Sequence, residues 1–160
     1  MIRAALISAV MALPAAAQTA PETAIGTFNA VCFKAGQTAT LARTRMETRA
    51  GSPLPFDLTF WDITLEPANS APAQIERRCE VAFAGDHTAP AIAALRVQMA
   101  MPPVFGHAIP LPATHRPQAG TALIEARALL RGRIAVVHIG TRSDQTFMAV
   151  DRLPADWEDR

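Results

Sequence analysis

Apolar residues change period along this chain, and each change marks an element. Cys79, Val81 and Phe83 alternate with Arg78, Glu80 and Ala82, the period of two expected of a half-buried strand. Gly85-Asp86 is turn chemistry, and Thr88 can accept from the free N–H groups that open a helix. Pro90 is tolerated in the first helical turn, where its missing donor costs nothing. Ile92, Leu95 and Met99 then share one helical face, and Pro102-Pro103 stops the helix. Strand, tight turn and helix are thus predicted as one unit, with Cys79 facing the core.

The same reading covers the rest of the chain. Thr19-Ala20-Pro21-Glu22 fits a capping box and predicts a helix with Ile25, Phe28 and Cys32 on one face, ended by Gly36. Thr38 opens a second helix, with Leu41, Ala42 and Met46 inward and Arg43, Arg45, Glu47 and Arg49 solvated; the breaker run 51–55 ends it. Residues 58–65 are rich in strand formers, with Trp61, Ile63 and Leu65 on one face. Residues 122–130 predict a strand burying Ile124, Ala126, Ala128 and Leu130. After the turn at Arg131-Gly132, residues 133–140 are apolar on both faces, as a central strand should be. A last strand follows at 146–152, then a short polar tail holding Trp157. The expected class is α+β: a mostly antiparallel sheet of about five strands, with helices packed on one face and one disulfide.

The start of the chain changes the compartment. Arg3, an apolar run over 4–13 and the small residues of 14–17 have the order of a secretory signal peptide, with cleavage expected after Ala17. The run is too short to span a bilayer, and no other stretch is long and apolar enough to do so. Residues 18–160 are then read as a single domain, periplasmic or secreted. Losing Arg3 leaves 14 basic residues against 14 acidic ones, a balance that gives no footing for nucleic acid. Cys32 and Cys79 are the chain's two cysteines. An even count in an exported protein predicts a structural disulfide, worth roughly 4 kcal/mol in the chain-entropy account. A redox pair or a metal site is the functional alternative, but redox pairs usually sit as Cys-x-x-Cys.

Phe28-x-x-x-Cys32 on a helix, a tryptophan strand, Cys79-x-Val81 followed by an alanine-rich helix, and a closing strand with Thr-Phe-Met-Ala-Val stand in this order. Together they resemble a group of small exported proteobacterial proteins of unknown function. The resemblance supports the fold and the disulfide and implies no mechanism. The long proline-rich stretch after the third helix is distinctive here.

Motifs for catalysis are missing: there is no Gly-x-Ser-x-Gly elbow, no His-Glu-x-x-His and no phosphate-binding glycine loop. No cofactor is expected. The proline-rich residues 102–120 cannot form a regular helix, yet carry Phe105, Ile109 and Leu111. Such long irregular segments are often functional. The three apolar residues are therefore the candidate partner-binding set of a non-enzymatic periplasmic accessory or protein-interaction domain; the bland alternative is that they cover a sheet edge or fill the core. A second reading is a small-molecule or metal-binding protein using the same segment, with His107 and His115 as weak metal candidates, since their spacing matches no helix or strand geometry. A hydrolase with His138 or His87 as base is the third; His138 inside a central strand reads first as a satisfied core histidine.

Overall fold

The structure is a computed structural model describing residues 18–69, 71, 72, 74–101 and 105–155. The expected signal peptide and the tail with Trp157 lie outside the described residues. Three helices, α1 (Ala20–Val31), α2 (Ala39–Ala50) and α3 (Thr88–Ala100), accompany six strands. These are β1 (Asp57–Asp62), β2 (Arg77–Ala84), β3 (Ala108–Ile109), β4 (Thr121–Ala128), β5 (Ile134–Arg142) and β6 (Gln145–Leu153). They form one sheet in the order β1-β2-β6-β5-β4-β3, every neighbouring pair antiparallel. The α+β class therefore stands, with one strand more than expected: two residues of the proline-rich stretch pair with β4 as an edge.

Local chemistry explains the helix ends. At the start of α1, Glu22 Oε2 accepts from the backbone N–H of Thr19 at 2.9 Å and from its hydroxyl at 3.0 Å. Thr38 Oγ1 accepts from Leu41 N–H to open α2. α3 begins one residue earlier in its capping than the sequence implied: His87 is the N-cap, and Asp86 Oδ1 accepts from both the N–H and the hydroxyl of Thr88. The C-terminal carbonyls of α1 would be orphaned where the chain turns into the core. Buried Gln37 donates to Val31 O and Lys34 O, and Arg77 from β2 donates to Lys34 O and Cys32 O.

The helices cover one face of the sheet. Phe28, Met46 and Leu95 from the helices meet Cys79, Val81, Val137, Ile139 and Met148 from the strands in the main core. Cys32 bonds Cys79 across it, Cα to Cα 5.5 Å, pinning the end of α1 to β2. Pairing register puts Leu58 and Phe60 of β1 on this helix-covered face, opposite Val81 and Cys79. This reverses the expected phase of that strand. Trp61 lies on the other face, while Ile63 and Leu65 are exposed beyond the strand end. The reason is Asp62: its Oδ1 accepts from the N–H and hydroxyl of Thr64, and its backbone oxygen accepts from Leu65 and Glu66. The chain turns there, so the alternation of 61, 63 and 65 never becomes a strand face. Leu41, expected inward, is 38 % exposed, and Leu130, expected in a strand, is 74 % exposed in a short 3-10 turn.

Candidate functional site

The face of the sheet away from the helices is where charge collects. Strand alternation sends Arg78 and Glu80 of β2, Asp151 of β6 and His138 of β5 to that face. β2, β6 and β5 are interior strands, so these polar groups stand in the middle of the sheet. Glu80 and Asp151 are only 8 % and 4 % exposed. What covers them is the proline-rich segment. Leu111 packs with Ile109 and Ile124 on an apolar cluster of Ala126, Ile134, Val136 and Leu153. From that anchor, residues 112–119 run over the open face as a strap, and a cavity of about 560 Å³ lies beneath it. Its floor includes Phe147, Ala149 and Ile124; its polar walls are described next.

Asp151 is the hub. Arg78 donates to it twice, Nε to Oδ1 at 2.8 Å and Nη2 to Oδ2 at 2.6 Å. His115 of the strap stands 3.0 Å from Oδ2 through Nε2. A carboxylate only accepts, so His115 Nε2 carries the proton, and its Nδ1 faces the Thr114 hydroxyl at 2.9 Å. Burial pushes the Asp151 carboxyl up, but the hydrogen bonds from Arg78 and His115 outweigh it and hold it below the usual carboxylate range. The same bond holds the Arg78 guanidinium above its ordinary value, against burial. His138 contacts Thr121 Oγ1 at 3.0 Å and sets its ring edge against Phe147, centroids 4.8 Å apart. Burial pulls the His138 imidazole down; the Asp151 charge partly offsets this, while Arg78 and His115 reinforce it. Arg142 lies over the other side of Phe147, 4.7 Å from its centroid, and pairs with Glu80.

The cavity thus gathers three guanidinium groups (Arg78, Arg116 and Arg142), two imidazoles and two carboxylates. Both carboxylates are already paired with arginine. The strap's Arg116 is exposed; its Nε reaches Ala113 O at 3.4 Å, and no carboxylate among the described residues pairs with it. Such an arrangement can bind an anion, and its apolar floor can hold a carbon skeleton.

The residues singled out from sequence separate. Cys32 and Cys79 form the disulfide. Phe105 packs against the helix-side core and meets Phe33 edge-on, centroids 5.0 Å apart. Ile109 and Leu111 pack on the opposite face. The three therefore share no common surface. His107 is exposed beside β3, whereas His115 is inside the cavity, so these two do not converge. Among the described residues no group of three or more His, Cys, Asp or Glu side chains is placed to hold a metal ion. His87 serves the fold: its N–H donates to Thr146 Oγ1, and its ring stacks on Phe83. Sequence reasoning missed Arg78, Glu80, Asp151 and Arg142. The signal was there in part, since charged residues at alternate positions of interior strands must meet partners or a cavity. No protein-family model, curated protein or solved structure matches this chain.

Proposed function

We propose that this chain is a small-molecule-binding domain that holds an organic acid between the proline-rich strap and the open face of the sheet. One observation carries the reading. A cavity of about 560 Å³ presents three guanidinium groups against two carboxylates that are both already paired, above a floor containing Phe147, Ala149 and Ile124. That volume suits a small ligand, with room for roughly twenty non-hydrogen atoms at the volume per atom of a liquid. Phe105, Ile109 and Leu111 are engaged with the chain's own core. A ligand under the strap is therefore favoured over a protein partner on it.

The same reading takes the chain to be exported. The charged start, apolar run and small residues of 1–17 support this, as does a disulfide, which persists in oxidising compartments. No helix among the described residues is long and apolar enough to cross a membrane.

The test is an NMR titration of the amide signals with a panel of aromatic carboxylates, aliphatic carboxylates and phosphate monoesters. At least one should give saturable shifts at Thr121, His138 and Phe147, weakened by added salt and by Arg116→Glu. A panel that moves none of these signals overturns the proposal.

A further inference from the structure

On the helix side of the sheet, the end of α1 and Phe105 leave a gap between them. It has a volume of about 320 Å³ and a different character from the cavity under the strap. Its walls are apolar: Phe33 and Phe105 in edge contact on one side, Leu129 and Leu130 on the other, Ala135 and Val150 beneath. Along one rim stand three guanidinium groups, Arg77, Arg133 and Arg152.

Among the described residues the charges of that rim do not balance. Arg152 donates to both oxygens of Asp62 at 3.1 Å and to Glu76 Oε2 at 3.1 Å. Arg133 Nε lies 3.4 Å from the same Glu76 oxygen. Two carboxylates therefore serve two arginines, and Arg77 bonds to neither. Arg77 is 5 % exposed, its two terminal nitrogens donate to the carbonyls of Cys32 and Lys34 just past α1, its guanidinium lies over the Phe60 ring, and its buried Nε has no hydrogen-bond partner among the described residues. Burial and the neighbouring Arg152 pull its guanidinium down to about 10, with Asp62 acting the other way. A guanidinium so placed is stabilised by a further negative charge.

We infer that this gap is a second binding site, distinct from the strap cavity, for an amphiphilic monocarboxylate: an apolar tail between Phe33, Phe105, Leu129 and Leu130, and a carboxylate at the Arg77–Arg133–Arg152 rim. The volume has room for about ten non-hydrogen atoms at the volume per atom of a liquid, which matches a short fatty acid such as octanoate. Apolar walls supply the favourable transfer of the chain from water, and the unbalanced rim selects the acid over a neutral head group.

The experiment is a calorimetric and NMR titration of the disulfide-bonded protein with octanoate and, separately, with 1-octanol. Octanoate should bind saturably at one site and shift Phe33, Leu129 and Ala135, and octanol should bind at least about tenfold more weakly. Leu130→Glu changes an exposed side chain and Arg133→Glu a half-exposed one outside the main core, and circular dichroism would verify that each variant keeps the fold. Each should weaken octanoate about tenfold or more, whereas Arg116→Glu in the strap should leave it unchanged. Equal binding of acid and alcohol, indifference to both rim variants, or no saturable binding up to the limit of monomeric octanoate would overturn the inference.

Discussion

Asp151 shows what a buried charge asks of its neighbours. It is 4 % exposed and takes three hydrogen bonds, two from Arg78 and one from His115. Removing Arg78 leaves a carboxylate in the sheet interior with one partner. Arg78→Ala should therefore cost about 3 kcal/mol of unfolding free energy at neutral pH, read from urea denaturation. The deficit should shrink on acidification, because the stranded carboxyl can take up a proton. His138 supplies a second residue-scale prediction. Its folded pKa lies below its ordinary 6.5, so between the two values the unfolded chain binds more protons. The stability it contributes is complete above 6.5 and is lost as pH falls through the folded pKa. The Asp151 carboxyl is also lowered, from 3.8, so its contribution is complete above that value and lost at lower pH. Both groups make acid destabilising, one window opening below 6.5 and the other below 3.8. His138→Leu should abolish the upper one in a scan of urea midpoint against pH. An unaltered slope below pH 6.5 in that variant would count against the assignment.

At the scale of elements, the site depends on how β4 enters the sheet. Gly120 has φ +83°, and a Cβ there would collide with the carbonyl oxygen of Thr141. Next to it, β4 shifts register between Thr121 and Leu123, which is where Thr121 turns to meet His138. Gly120→Ala should destabilise by about 2 kcal/mol or more, seen as a lower thermal midpoint, and should perturb the NMR signals of Thr121 and His138 first. β1 teaches a different lesson. Its strand formers are legible in sequence, but its phase is not, because a turn made by the Asp62 carboxylate cuts the alternation short. A one-residue error in phase reverses every side chain of a strand.

At the scale of the whole molecule, a main core lies between the helices and the sheet, a smaller apolar cluster lies on the other face, and a single disulfide clips α1 to the sheet. Cys32 and Cys79 are 47 residues apart and join the end of α1 to an interior strand. Replacing both by alanine should lower unfolding free energy by about 4 kcal/mol in the chain-entropy account. Hydrogen exchange should rise more in α1 than in β5 and β6, whose stability rests on sheet pairing. The same double variant leaves the strap cavity's residues in place, so its ligand binding, read under native conditions, should survive.

Periodicity, caps and turn residues lie close together in the chain, and they determined most of what is local here. The capping box at Thr19, the face of α3, the long strands and the pairing of the two cysteines all follow from spacing and count. The order β1-β2-β6-β5-β4-β3 does not, because β2 must find β6 past the whole of α3, β3, β4 and β5. That pairing alone puts Arg78 beside Asp151, and the strap, anchored by Leu111 on a cluster drawn from three strands, alone brings His115 to them. It also separates Phe105 from Ile109 and Leu111, and His107 from His115, residues that stand together along the chain. Local sequence settles which face is apolar in α1, α3 and β2, but not in β1, where the Asp62 turn intervenes. Only tertiary packing decides which faces meet, and both cavities are consequences of that meeting.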